Sequence, residues 1–172
     1  MNRYWQIALA VLLSLASACN KYTSVKPESK DLDGIYRPTL GTQALFAKQG
    51  YGQTNDISII LHGDGKFELH NMPDCWLSSL RSVDLPHKLY DSGDGEWVIT
   101  DNGMDGNDAW GATFEFHSTT NLVSIKKEMK AIVVVGGTMF KKEKAPYILN
   151  FFIGEPDGSP LCEFHQELPV KK

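Results

Sequence analysis

Residues 57–70 read ISIILHGDGKFELH, and this stretch decides the fold. Apolar residues occupy alternate positions before and after a short Gly63-Asp64-Gly65 segment. Two alternating runs around an Asp-Gly pair are typical of a β-hairpin, because aspartate and glycine accept the backbone angles of a tight turn. The stretch therefore predicts two antiparallel strands that turn one face towards a core.

The same two-residue period recurs along the rest of the chain. In residues 111–117, Ala112, Phe114 and Phe116 share one face and polar residues take the other. Further strands are predicted at 96–100, 122–126, 131–135, 146–153 and 161–167, and one short helix near 76–83. About eight antiparallel strands with short connections predict an all-β fold, either an up-and-down barrel or a strongly curved meander, because closure removes exposed strand edges.

The composition fits one globular domain. Of the 172 residues, 42% are hydrophobic and 22% are charged, which excludes a disordered or collagen-like chain. The 15 glycines, 8 prolines and 10% aromatic residues favour a turn-rich β protein. A formal net charge of −4 argues against nucleic acid as a partner.

The N-terminal residues have the pattern of an export signal. Residues 7–18 form an uncharged apolar run after Arg3 that is too short to span a membrane. Residues 15–19 (LASAC) resemble the lipobox of bacterial lipoproteins. The resemblance implies that residues 1–18 are removed and that Cys19 becomes an acylated N-terminus attached to the membrane. An ordinary cleaved signal followed by a chance cysteine is the alternative.

The lipoprotein resemblance also implies a location and a division of the mature chain. Asn20 follows the cysteine where an aspartate commonly retains lipoproteins at the inner membrane, so we expect the outer membrane and a domain that faces the periplasm. In an organism without an outer membrane, the cell membrane takes its place. Residues 19–32 are polar without an apolar period and predict a tether, and residues 33–172 predict a single β-barrel domain.

The order of the strands resembles that of a small lipocalin-like barrel. The likeness rests on residues 32–37 (LDGIYR), the hairpin at 63–65, Gly95-Glu96-Trp97 and the C-terminal strand pair. It implies a protein that carries or senses an apolar envelope molecule. Residues 146–164 also resemble the C-terminal part of small exported bacterial proteins, a likeness that implies no function.

Common catalytic motifs are absent from the sequence. It contains no Gly-x-Ser-x-Gly, His-Glu-x-x-His or Cys-x-x-Cys, so we expect a non-enzymatic protein without a cofactor. Gly93-Asp94-Gly95 is interpreted as a turn, like the similar segment at 63–65.

One acidic segment invites comparison with a calcium site. The weak candidates for ligands are Asp101, Asp105, Asn107 and Asp108. An EF-hand is excluded, because Ala112 stands where that motif needs a bidentate glutamate. A looser calcium site and ion-free Asx turns are the two alternatives, and the composition favours the turns.

Three histidines share a strand face with a glutamate. The pairs are His70 with Glu68, His117 with Glu115, and His165 with Glu163. A solvated face with cross-strand pairs explains this pattern. A catalytic or zinc-binding group would require the three strands to be neighbours.

Charge and loop length indicate where a partner would bind. Residues 54–109 hold eleven acidic and three basic side chains, which predicts an acidic face. Residues 126–144 hold six lysines and two glutamates and are expected to solubilise a hairpin, with anionic headgroups as the alternative contact. The loop at 71–95 is longer than a barrel connection requires. Its apolar residues either cap the barrel mouth or contact a ligand, and the candidates are Trp76, Leu77, Leu80 and Tyr90.

Two cysteines remain once Cys19 carries lipid. Cys75 and Cys162 are the only intramolecular pair, and an exported protein meets conditions in which disulfides persist. A bridge between them is predicted, with two buried thiols as the alternative.

These features together predict a membrane-anchored periplasmic lipoprotein. Its expected role is non-enzymatic binding through the 71–95 loop and the barrel mouth. One alternative is an immunity or inhibitor lipoprotein that blocks a periplasmic toxin or hydrolase through its acidic face. Another is a carrier or sensor of an apolar molecule. The expected partners are thus the membrane and either a protein or an apolar small molecule.

Overall fold

The computed structural model describes residues 26–52, 56–74, 89–101, 110–120, 128–135, 146–152 and 161–167. Within these ranges, eight strands form one closed antiparallel barrel in which each strand pairs with the next and the last pairs with the first. The predicted all-β, up-and-down barrel is confirmed. The strands are β1 (Gly34–Pro38), β2 (Ser58–Leu61), β3 (Lys66–Pro73), β4 (Tyr90–Asp101), β5 (Trp110–Thr119), β6 (Glu128–Val135), β7 (Tyr147–Phe152) and β8 (Leu161–Gln166).

The hairpin that joins β2 to β3 forms as its sequence predicts. Ile59 lies opposite Leu69 in an antiparallel register. The amide of His62 donates to the carbonyl of Lys66 at 2.9 Å, which closes the turn. Gly65 has φ +89°, a backbone angle that glycine adopts without steric cost.

Aromatic rings pack against one another in the barrel interior. The ring of Phe67 on β3 meets those of Phe114 and Phe116 on β5 edge-on, with centroids 5.1 and 5.2 Å apart. Phe151 on β7 continues this chain of rings to Phe164 on β8, at 5.7 Å. Each such contact adds about 0.5–1.5 kcal/mol to area burial. The chain of rings connects strands on opposite sides of the barrel.

A short segment closes the end of the barrel that holds the 62–65 turn, here called the hairpin end. It comprises residues 26–32 and includes the one-turn helix α1 (Ser29–Leu32). Leu32 is fully buried, and its carbonyl accepts a hydrogen bond from the Tyr36 hydroxyl at 2.9 Å. Burial raises the pKa of Tyr36, so the phenol stays protonated as a donor. Residues 26–32 therefore belong to the folded domain, which corrects the prediction of a tether that ends at residue 32.

A helix that the sequence analysis did not anticipate packs near the opposite end. Helix α2 (Leu40–Lys48) follows β1, and the side chain of its N-cap residue Thr39 accepts from the amide of Thr42 at 3.2 Å. Phe46 is buried in the core. The Tyr51 hydroxyl beyond the helix donates to the buried carboxylate of Asp74.

Strand β4 begins earlier than expected. Gly93-Asp94-Gly95 lies inside the strand, so its interpretation as a turn is wrong. The reason is steric: a Cβ on Gly95 would lie 2.0 Å from the carbonyl oxygen of Glu115 on β5. The early start also corrects the predicted loop at 71–95, because β3 continues to Pro73 and β4 starts at Tyr90.

Two predicted elements, the helix near 76–83 and the strand at 122–126, lie outside the described residues. Across the part of the chain that is described, no helix is long and apolar enough to cross a membrane.

Candidate functional site

An acidic groove runs along the outer surface from the hairpin end across β3 and β4 to β5. Its volume is about 870 Å³. Carboxylates predominate among its side chains, with one lysine and two histidines. The groove is lined by Asp33, His62, Gly63, Asp64, Lys66, Phe67, Glu68, Asp94, Gly95, Glu96 and His117.

Strand alternation places the charged side chains on this surface. On β3, Phe67 points into the core, which directs Lys66 and Glu68 outward. On β4, Gly95 and Trp97 are buried while Asp94 and Glu96 are exposed. The acidic residues of two adjacent strands therefore share one outer face.

His117 lines the groove at a β-bulge. The register of β4 against β5 shifts between Asp94 and Gly95, since Asp94 lies opposite Ser118 while Gly95 lies opposite Phe116. His117 is the extra residue on β5. Strand alternation directs its side chain to the outer face, as it does that of Glu115.

Glu68 lies between two imidazoles. Its Oε1 is 3.1 Å from His62 Nε2, and its Oε2 is 3.2 Å from His70 Nε2. The hydrogen bond with His62 is the main cause that lowers the pKa of Glu68; partial desolvation opposes it, and the hydrogen bond with His70 adds to the lowering. The side chains are 43–47% exposed, so solvent weakens each pair.

Like charges face each other across the strands of the groove. Glu68 lies directly opposite Asp94, and Glu96 lies directly opposite Glu115. Such pairs are destabilising in a sheet. Lys66 lies opposite Glu96, but its Nζ is also 3.6 Å from Asp64. One lysine among five lining carboxylates leaves a formal charge of −4 with the histidines neutral.

The predicted binding loop is only partly described. Tyr90 lies in β4, where its hydroxyl donates to the carbonyl of Gly52 at 2.8 Å and its ring meets Tyr51 edge-on. This residue therefore holds the segment after α2 in place and does not belong to a loop. Trp76, Leu77 and Leu80 lie outside the described residues.

One of the four calcium candidates lies in the described part of the chain. Asp101 is an exposed residue at the end of β4, paired with Trp110, while Asp105, Asn107 and Asp108 lie outside the described residues. Among the described side chains, no group of three or more His, Cys, Asp or Glu is arranged to hold a metal ion.

The cysteines are likewise only partly described. Cys162 on β8 is fully buried, on the same inward face as Phe164. Cys75 and Cys19 lie outside the described residues, so the bridge and the lipidation stay predictions.

The three His/Glu pairs do not meet in one place. Strand β4 separates β3 from β5, so His70 with Glu68 and His117 with Glu115 stand two strands apart. His165 and Glu163 lie on β8, between β7 and β1. What does converge at the groove is Glu68 and His117 with the carboxylates of β4 and the hairpin end. The sequence signal for this was the acidic excess in 54–109, but β4 had to be extended through its glycines before Asp94 could be aligned with Glu68 on β3.

Comparison with protein-family models, with curated proteins and with solved structures finds no match.

Proposed function

We propose that this protein is a lipid-anchored envelope protein that binds a basic surface of a protein partner through the acidic groove and performs no chemistry itself. The observation that carries the proposal is the outward-facing arrangement of five carboxylates around one lysine. Local charge patterns that oppose stability are most often retained at functional sites. Here the opposed pairs Glu68/Asp94 and Glu96/Glu115 form such a pattern.

An arginine or lysine from a partner would relieve this repulsion. Guanidinium groups bind carboxylates through paired hydrogen bonds, and complementary charge accelerates encounter and selects the partner. Exposed pairs contribute about 0.2–1 kcal/mol each, so useful affinity needs several of them together. A periplasmic toxin or hydrolase with a basic surface is the partner that fits, and acylation of Cys19 would hold the inhibitor at the membrane.

A carrier of an apolar molecule is less well supported. The rings of Phe67, Phe114, Phe151 and Phe164 are buried in the interior and contact one another. An apolar ligand among them would have to displace them, and filled barrel interiors are typical of small barrels that hold no ligand. Surface binding requires no such change.

The proposal is tested with a labelled hexa-arginine peptide and fluorescence anisotropy at pH 8.0 and an ionic strength of about 0.1 M, at which the Debye length is about 10 Å. The groove variant carries Glu68→Gln, Asp94→Asn and Glu96→Gln. A control variant removes the same charge elsewhere through Asp56→Asn, Glu163→Gln and Glu167→Gln. We expect the groove variant to bind at least about tenfold more weakly and the control to change little, because the three control residues are not part of the groove lining and salt screens charges outside it. Equal losses of affinity in both variants would show that the peptide responds to net charge alone. That result would refute the groove as the binding site.

The anchor is tested separately. The Cys19→Ser substitution should release the protein from membranes or leave its precursor uncleaved. Normal processing and fractionation of that variant would contradict lipidation.

A further inference from the structure

Three histidines are placed to control the charge of the acidic groove. His62 and His70 both contact the carboxylate of Glu68, at 3.1 and 3.2 Å. His117 lines the groove from the β5 side, at the bulge. Histidine is the side chain whose charge ordinarily changes between pH 5 and 8. The three imidazoles therefore stand where a modest change of pH alters what the groove attracts.

We infer that the groove is a pH-dependent binding site, which takes a basic partner above neutral pH and releases it in mildly acidic conditions as His62, His70 and His117 become charged. The inference rests on the proposed function and names its regulation. The lining has a formal charge of −4 when the histidines are neutral, and protonation of the lining residues His62 and His117 alone reduces it to −2.

Protonation also changes what Glu68 offers to a partner. When both neighbouring imidazoles are charged, each donates to one oxygen of the Glu68 carboxylate, so neither oxygen is left with its full charge. Charge-assisted hydrogen bonds of this kind are stronger than those of a neutral imidazole. An arginine of the partner then competes with two internal cations for the same carboxylate.

The other charged groups around these histidines do not reverse the effect. Those that share the groove lining with His62 and His117 are Asp33, Asp64, Lys66, Asp94 and Glu96, and Glu115 lies opposite Glu96 on β5. His70 lies opposite the uncharged Ser58 on β2. Carboxylates ordinarily stay ionised down to about pH 4, and lysine stays charged throughout this range. Lys30 of α1, near the hairpin end, is paired with Glu28. Between pH 8.0 and 5.5 the histidines are thus the groups that change the charge of the groove.

The experiment measures the hexa-arginine affinity of the wild type at pH 8.0 and 5.5 at constant ionic strength. Arginine keeps its charge across this range, so the peptide itself does not titrate. We expect the dissociation constant of the wild type to rise on the order of tenfold at pH 5.5, as two or three added charges act over a few ångströms in a partly screened site. A variant with His62→Gln, His70→Gln and His117→Gln should bind nearly equally at both pH values. His165→Gln, which alters an exposed histidine on β8, should keep the wild-type pH dependence.

The outcomes separate the two proposals. A wild type that binds the peptide equally well at both pH values overturns the pH inference and leaves the binding groove standing. Persistence of the pH dependence in the triple variant also overturns it. If the wild type binds the peptide neither at pH 8.0 nor at pH 5.5, the proposed function itself is refuted.

A second measurement, made on the wild type, tests the inference even if the triple variant does not fold. In NMR titrations of the wild type, bound peptide must shift the titration midpoints of the three groove imidazoles to lower pH and leave His165 unchanged. This follows because linkage between proton and peptide binding is reciprocal. Unshifted midpoints would refute the inference.

Discussion

At the scale of single residues, Glu68 shows how the groove affects stability. Its pKa is lowered by the hydrogen bonds from His62 and His70. A carboxylate with a lowered pKa in the folded state stabilises the protein above its ordinary value of 4.5, and this contribution is lost as pH falls through the lowered value. The stabilisation is thus present at neutral pH and disappears in acid.

The Glu68→Gln variant tests this pH dependence. We expect the wild type to be more stable than the variant by about 0.5 kcal/mol at pH 6, a small figure because the groups are exposed and because the substitution also removes the repulsion between Glu68 and Asp94. The difference should shrink as pH falls below 4.5. Urea unfolding at pH 6.0, 4.5 and 3.5 measures it, and a difference that grows towards pH 3.5 would contradict the direction of the shift.

Gly95 is a position in β4 that leaves no room for a side chain. A Cβ there would lie 2.7 Å from the ring of Phe67 as well as 2.0 Å from the Glu115 carbonyl. We expect Gly95→Ala to lower the free energy of unfolding by at least about 2 kcal/mol, since the backbone of β5 must move.

Gly41→Ala is the matched control for that substitution. The nearest atom to a Cβ on Gly41 is Thr39 Oγ1, at 3.7 Å, and alanine favours the helix by about 0.5–1 kcal/mol. The control should therefore be neutral or stabilising in urea unfolding. A Gly95→Ala protein as stable as the wild type would mean that the bulge does not require glycine.

At the scale of elements, the strands could be predicted where side chains alternate and not where glycines interrupt them. Strands β3 and β5 bury Phe67 and Phe114 at the positions that alternation assigns. Strand β4 was shortened in the prediction, because Gly93 and Gly95 are usual turn residues and the close approach of β5 that requires them is a tertiary fact. The same error hid part of the groove, since Asp94 lies within the misassigned part and Glu96 directly follows it.

Helix α2 was missed for a different reason. Leu40 is 83% exposed, while the buried residues include the polar Thr42, so the helix lacks an apolar stripe. Tertiary hydrogen bonds take the place of that stripe: Thr42 Oγ1 accepts from the amide of Glu163 at 2.8 Å and lies 3.1 Å from its carbonyl oxygen. The helix is thus fixed to β8 by backbone groups that no sequence pattern reveals.

Replacement of Thr42 tests this attachment. Thr42→Val keeps the shape and leaves the Glu163 amide without its acceptor, so we expect a loss of about 2 kcal/mol. Thr42→Ser retains the hydroxyl and should cost less than about 1 kcal/mol. Chemical unfolding measures the stability of both variants. Equal losses of stability would show that packing, and not the hydrogen bond to Glu163, accounts for the contribution of Thr42.

At the scale of the whole molecule, the two ends of the described chain meet at one residue. Gln166, the last residue of β8, donates through Nε2 to the carbonyls of Asp31 and Asp33 at 3.1 and 2.9 Å. Its Oε1 accepts from the amide of Tyr147 on β7 at 2.9 Å. One buried side chain thus joins the segment before β1 to β7 and β8, next to the seam where the barrel closes.

Gln166→Leu should therefore weaken the closure of the barrel as a whole. The substitution leaves one backbone amide and two carbonyls without this partner in a buried site, and each unsatisfied group costs about 1–3 kcal/mol, so we expect a loss of about 3 kcal/mol after partial relaxation. Hydrogen exchange should accelerate most at Tyr147, whose amide loses its acceptor. His165→Leu, an adjacent change on the exposed side of β8, should alter stability by no more than about 0.5 kcal/mol. If Gln166→Leu unfolds at the wild-type urea concentration with the Tyr147 amide still protected, the strand pairing of β1 with β8 closes the barrel without help from this side chain.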